Sequence, residues 1–194
     1  MRLKITLTPE DMIKIHDMAA ARNNANRIGN VVNQKIADIS DLSIDFVGLL
    51  GEVGFSRIFG LPLDESIGPR SGSVDFVSNG HNIEVKSSKH ATAHLLVPSY
   101  FIGGVYTTKE ICQVYVLMLV VIDCRTVEFA GWTTREKLIT PERLGHFKGS
   151  MRKSFIMHQD DLTPLDEVTA RTTLWVARKE GHNVELTDGP DLAT

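Results

Sequence analysis

The chain has 194 residues, 42% hydrophobic and 23% charged, a length and balance that fit one folded domain with a modest accessory segment and exclude a disordered chain. Its formal net charge of −3 excludes a globally basic surface, so nucleic-acid binding would need a local cluster of cations.

In chain order, MRLKITLTPEDMIK has too short an apolar run before Glu10 and Asp11 for a signal peptide. Thr8 can cap a helix, with Pro9 at its first position and Asp11 reaching back to the cap. Met12, Ile15, Met18 and Ala19 recur at helical spacing, and the turn-forming stretch RNNANRIGN is expected to end that helix. This stretch and its sequel gather Arg22, Arg27 and Lys35, either a solvated linker or a basic arm near a phosphate backbone. Residues 1–40 read as an N-terminal helical extension, 41–180 as the core and 181–194 as a flexible tail.

Residues 42–59 form a second predicted helix, closed by Gly60 and stopped by Pro62. Apolar side chains occupy most of its circumference, the mark of a buried helix. Gly48, Gly51 and Gly54 lower its propensity but allow close approach to a sheet. At 100° per residue, Asp45, Glu52 and Ser56 share one narrow stripe, which is either a thin solvent face or a carboxylate aimed at a site.

SGSVDFVSNGHNIEVKSS follows. Asn79-Gly80 between two alternating runs signals a two-residue hairpin turn. With Ser78 and His81 flanking the turn, Phe76 faces Ile83, Val74 faces Val85 and Asp75 lies opposite Glu84, with Lys86 on the face of Glu84. Residues 89–110 read as a loop. The run of residues 114–122 reads as a buried central strand, far short of the ~20 residues a membrane helix needs. Cys112 and Cys124 bracket it and read as free thiols of a reducing, cytoplasmic setting. A strand over 125–131, a short helix from Thr133 or Thr134 to Ile139, a strand over 154–157 and a helix capped by Thr163-Pro164 are expected next. Asp160-Asp161 reads as the start of that helix rather than as a metal site, and residues 174–177 as a further strand.

Opposed carboxylates repel across a sheet. A hard divalent cation, Mg²⁺ or Mn²⁺, offsets that repulsion, can acidify a bound water and can neutralise charge on a phosphate oxygen. Lys86 can orient the nucleophile or steady the developing anion, and the Val85 carbonyl can supply another oxygen ligand. Here the sequence resembles the PD-(D/E)xK nuclease superfamily, whose signature corresponds to Asp75 followed by Glu84-Val85-Lys86, with Glu52 as the acid on the preceding helix. The resemblance covers about residues 42–139 and implies an α/β restriction-endonuclease-like core, a mixed central sheet flanked by helices. It implies a metal-dependent endo- or exonuclease acting on nucleic acid, DNA before RNA, with Asp75, Glu84, Val85 and Glu52 around the metal. Two departures stand out: Val74 replaces the proline of the name, and residues 127–131 follow the central strand too closely for an intervening helix. The Gln-x-x-x-Tyr helix of one branch is absent, since Leu117 stands four after Gln113.

Arg70, Ser88, Lys89 and His90 are the candidate phosphate contacts. His90 and His94 would hold a metal only on a helix. Tyr100, Phe101 and Tyr106 around Gly103-Gly104 either stack on bases or pack on the sheet, and Lys148, Arg152 and Lys153 mark a basic aromatic segment or a solvated turn. The alternative function is a catalytically silent nucleic-acid-binding or protein-interaction domain of the same fold. No membrane association is expected, and the oligomeric state is open, a homodimer included.

Overall fold

The computed structural model describes residues 1–29, 41–67, 74–108, 111–123, 125–147 and 150–187. Its elements are β1 (Arg2–Thr6), α1 (Pro9–Ile28), α2 (Asp41–Phe59), β2 (Phe76–Ser78), β3 (His81–Ser88), β4 (Leu95–Pro98), β5 (Tyr100–Ile102), β6 (Val105–Thr107), β7 (Val114–Val121), β8 (Thr126–Thr134), α3 (Arg135–Leu138), β9 (Leu144–His146), β10 (Lys153–Met157), α4 (Glu167–Lys179) and β11 (Asn183–Thr187). The architecture is mixed α/β. Six strands form the main sheet in the order β11-β1-β8-β7-β3-β2. Only β3 and β7 run parallel among these neighbours.

Local chemistry starts the first helix as expected. The Thr8 hydroxyl accepts the Asp11 N–H at 3.1 Å, and Asp11 accepts the Thr8 N–H at 3.3 Å. The Asn-rich stretch, however, does not end the helix, which runs on to Ile28. Arg22 and Asn26 are buried, and such tertiary contacts outweigh the modest propensity deficit of asparagine. Arg22 is therefore neither a linker residue nor part of a basic arm, while Lys35 lies outside the described residues. The N-terminal segment also supplies a strand that was not expected: Leu3 and Ile5 of β1 enter the core, with β8 and β11 on either side.

Two apolar layers sandwich the main sheet. On one face, α1, α2 and α4 contribute Ile15, Leu49, Leu50, Val53 and Ala177 to a core with Ile83, Val85, Val116 and Met118. On the other, the small sheet β4-β10-β9 and α3 pack Leu95, Val97, Phe155 and Leu138 on Tyr115, Leu117 and Leu119. The side chains of β7 thus alternate between two cores, which explains its unbroken apolar run. β8 follows β7 as an antiparallel hairpin without an intervening helix, and a β-bulge at Leu117/Met118 within their ladder leaves Ala130 without a partner.

Five later expectations change. The segment expected to be a loop, 89–110, contains β4, β5 and β6. Thr163 does not cap the last helix; it exchanges backbone hydrogen bonds with Trp132 at 3.0 and 2.8 Å. Asp166 is the cap, accepting the Thr169 N–H at 2.9 Å, and residues 174–177 lie within α4. Asp160 and Asp161 belong to a separate 3₁₀ turn, Gln159–Asp161. Residues 183–187 of the expected tail form β11. No helix among the described residues is long and apolar enough to cross a membrane.

The α2 glycines serve close approach. A Cβ at Gly51 would meet the Ser87 Oγ at 1.8 Å, and one at Gly54 would meet Val127 side-chain atoms at 2.6 and 2.8 Å. Gly54→Ala gains roughly 1 kcal/mol of helix propensity but overpacks the sheet contact at about 1–3 kcal/mol or more. Chemical denaturation should show a net loss of stability. A variant more stable than wild type would mean that α2 does not sit on β8 this closely.

Candidate active site

The expected turn forms, with Asn79 at φ 49° and Gly80 at φ 76°. The register is Ser78 with His81, Val77 with Asn82 and Phe76 with Ile83. The ladder stops there. Asp75 occupies a bend ahead of β2, and its Oδ2 accepts the Val85 N–H at 2.7 Å in place of a backbone carbonyl. This bend corrects the expected partnership of Val74 with Val85. Val74 packs with the core beneath the small sheet, whereas Val85 faces the helices.

β3 divides its side chains between the two layers. Ile83 and Val85 face α2, so Glu84 and Lys86 project to the opposite face. The Lys86 ammonium contacts Glu84 Oε1 directly. The buried Cys112 thiol points at Glu84 Oε2, 3.8 Å away. Tyr115 stands beside Glu84 in the parallel register of β7. Its hydroxyl meets Thr108 at 3.3 Å and accepts from Arg135 at 3.2 Å. Burial, more than any other cause, pushes the Tyr115 pKa upward, with the Glu84 charge adding to it.

The polar stripe of α2 is not a solvent face. Asp45, Glu52 and Ser56 are all buried. Arg22 of α1 donates to Glu52 Oε2 at 2.9 Å and to the Asp64 carbonyl at 2.7 Å, while Asn23 reaches Asp45 at 3.5 Å. Ser56 donates to the Leu61 carbonyl at 2.6 Å.

Asp75 lies between these two groups of charges. Burial is the main reason its pKa rises to about 7, and the charges of Glu84 and then Glu52 raise it further. Lys86 and the Val85 N–H pull the other way without cancelling the rise. Among the described residues no cation pairs with Asp75 at ion-pair distance. The fold therefore gathers Asp75, Glu84, Glu52 and Lys86 within one electrostatic cluster. Among the described residues no three Asp, Glu, His or Cys side chains converge closely enough to cage a metal. The donors that do fit a hard cation are Asp75, Glu84 and the Val85 carbonyl, which leaves β3 on the same edge as its N–H, past the end of β2. A cation that keeps several of its waters, as Mg²⁺ does, needs no more than one or two carboxylates.

Of the expected phosphate contacts, Ser88 ends β3 and uses its Oγ to accept the His90 N–H at 3.2 Å, while Lys89 and His90 are exposed just beyond. Arg70 lies outside the described residues. His94 does not join His90; its ring lies 4.0 Å from that of His158. Arg22, Cys112, Tyr115 and Arg135 were missing from the sequence-derived site. Tyr115 carried a signal, as the only side-chain hydroxyl in the apolar run of β7. Comparisons of the chain with protein-family models, curated proteins and solved structures find no match.

Two consequences can be measured. The folded pKa of Asp75, about 7, exceeds its unfolded value near 3.8, so between those values the native state holds a proton that the unfolded chain has released. Wild-type stability therefore falls as pH rises from about 4 to 7 and levels off above. Asp75→Asn keeps an acceptor for the Val85 N–H and escapes that loss. In chelator it should be more stable than wild type by roughly 2–4 kcal/mol at pH 8 and no more stable below pH 4, read from denaturant midpoints. A constant difference across pH would remove the charge conflict at Asp75. Glu52→Gln, although nearly isosteric, leaves buried Arg22 without its counter-charge and should cost roughly 3 kcal/mol or more. A neutral effect in the same denaturation assay would show that the pair contributes nothing to folding.

Proposed function

We propose that this protein is a metal-dependent nuclease that hydrolyses phosphodiester bonds, with DNA as substrate and Mg²⁺ or Mn²⁺ as cofactor. One observation carries the reading: Asp75, a half-buried carboxyl with no ion-pair partner among the described residues, is pushed toward neutrality first by burial and then by the charges of Glu84 and Glu52, beside a lysine. A carboxyl perturbed by burial together with specific neighbouring charges is a candidate for chemistry rather than for packing. The resemblance of Asp75 and Glu84-Val85-Lys86 to the PD-(D/E)xK signature points the same way. The restriction-endonuclease-like core belongs to this proposal, supported by a helix bearing Glu52 ahead of the Asp75–Lys86 hairpin and a mixed sheet. The direct β7–β8 hairpin remains a departure from that pattern. A cytoplasmic location belongs to it as well.

Asp75 and Glu84 would hold the cation with the Val85 carbonyl. Glu52, already donated to by Arg22, would act through its field or through a water. The bound ion would supply Lewis-acid stabilisation of the phosphate and lower the pKa of a water. Lys86, a third exposed, can leave Glu84 and place its ammonium near a phosphate oxygen or orient the attacking water. Near pH 7 the Asp75 carboxyl is poised between its two protonation states, and binding of a cation would favour the carboxylate.

The second reading is a silent nucleic-acid-binding or protein-interaction domain. It is favoured by the Arg22–Glu52 and Lys86–Glu84 contacts, because ion pairs can close on themselves with no role beyond packing. Cleavage of labelled DNA with and without Mg²⁺ separates the two. Lys86→Ala should lower the cleavage rate by roughly 10²–10³-fold while binding in chelator changes only slightly. Wild-type cleavage by purified Lys86→Ala would overturn the assigned role, and a metal-independent or absent activity in wild type would overturn the nuclease.

A further inference from the structure

The charges of the chain are unevenly spread. Residues 87–109 and 143–159 contain none of its 24 Asp and Glu but six of its 21 Lys and Arg, of which Arg143 pairs with Asp161 outside them at 3.2 Å. The fold brings these two acid-free stretches together. β10 pairs with β4 on one side and β9 on the other, so the whole small sheet is built from them. The β5–β6 hairpin grows from the first stretch, turning at Gly103 and Gly104 with φ of 61° and 85°. Two cations of the second stretch hold its sides. The Arg152 guanidinium lies 4.1 Å from the Tyr100 ring centre, and the Lys153 ammonium 4.9 Å from that of Tyr106. Arg152 also donates to the Ser99 carbonyl from two nitrogens, at 3.2 and 3.0 Å.

Beyond these anchors the hairpin is bare. Phe101 is 66%, Ile102 51% and Val105 62% exposed, and the Phe101 ring rests against Tyr106 at 5.1 Å. An apolar cleft of about 220 Å³ opens beside it, lined by Val105, Tyr106, Ile139, Pro141, Leu144 and Phe155. An exposed apolar group of this kind marks a binding surface. Its occupant has to satisfy two conditions at once: negative charge for an acid-free lobe on an otherwise acidic protein, and flat apolar faces for the exposed ring. Unpaired nucleotides meet both, with phosphates for the cations and bases for the aromatics.

We propose that the β5–β6 hairpin and the acid-free sheet beneath it grip an unpaired strand of nucleic acid, with bases stacked on Phe101 and phosphates on Lys153 and Arg152. This rests on the nucleic-acid reading above but not on cleavage. The grip is joined to the acidic cluster: Arg135 donates to Thr107 at 3.1 Å, to Thr108 at 2.6 Å and to Tyr115, the neighbour of Glu84.

The test is fluorescence anisotropy of the full chain with labelled single-stranded and duplex oligonucleotides in chelator, where no metal-dependent cutting occurs. The wild type should prefer the single strand and lose affinity as salt rises. Phe101→Ala should weaken single-strand binding about tenfold, and Lys153→Ala should flatten the salt dependence by about 0.7 in logarithmic slope. Thermal unfolding verifies that both variants are folded. Folded Phe101→Ala/Lys153→Ala protein that binds as tightly as wild type overturns the grip, as does a wild type that ignores single strands. Hairpin-dependent binding by a wild type that cuts nothing in Mg²⁺ supports the grip while removing the nuclease. Mg²⁺-dependent cutting by a protein whose single-strand binding the double substitution leaves unchanged removes the grip and leaves the nuclease.

Discussion

The register of β3 is the constraint from which the rest of this molecule is measured. Two residues of positive φ at Asn79 and Gly80 set where β3 begins, and a slip of one residue would exchange its two faces. With that register, Ile83 and Val85 belong to the helix-side core and Glu84 and Lys86 to the other side. The opposite edge of β3 is committed as well, through the parallel ladder from Ile83–Val114 to Ser88–Leu119. A slip would bury Glu84 under α2 and expose Val85, so neither edge can move alone. Asp75 lies one residue past the last backbone pair, and its carboxylate completes the edge by taking the Val85 N–H.

Charge balance around that edge is incomplete by one. Glu52 has Arg22, and Glu84 has Lys86, which leaves Asp75 as the excess acid among the described neighbours. A buried site tolerates a net charge poorly, and a pKa near 7 is the protein's own answer, since one proton restores neutrality. Above that pH the proton is lost and the excess returns. A cation is the other species that can supply the missing charge. Protonation and cation binding therefore compete for the same deficit, so any cation uptake here must be linked to proton release.

Much of this was legible in the sequence because it depends on short-range chemistry. The Thr8–Asp11 capping box, the Asn79-Gly80 turn, the buried run of β7 and the helix over Leu49, Leu50 and Val53 all announce themselves within a few residues. What escaped depends on distant partners. β1 is a short alternation whose meaning comes from β8 and β11, more than a hundred residues away. The late part of α1 contains Asn23, Asn24 and Asn26, turn formers in isolation, yet Arg22 and Asn26 are buried and the helix persists. Residues 174–177 are apolar enough for a strand, but the Asp166 cap starts a helix whose small buried faces are Ala170 and Ala177. For the site, spacing reached the Asp75–Glu84–Lys86 group because a hairpin is local. It could not reach the Arg22 partner of Glu52, thirty positions upstream, nor the bend that carries Val74 to the opposite core.

The path of the chain also couples the two surfaces described above. From Lys86 the backbone leaves β3, enters the acid-free stretch and builds β4, β5 and β6. It then returns through Thr107 and Thr108, both held by Arg135, to Cys112 and Tyr115 beside Glu84. Arg135 stands at the N-terminus of α3, directly after β8, so its backbone is fixed by the strand that pairs with β7. One guanidinium thus links the root of the exposed hairpin to the tyrosine neighbouring the central glutamate. Displacing the hairpin would strain the Thr107, Thr108 and Tyr115 contacts together, because all converge on a single rigid planar group. The acid-free lobe and the acidic cluster are therefore mechanically continuous although their charges are opposite, an arrangement that can hold a polyanion at one end while leaving the other end to a cation.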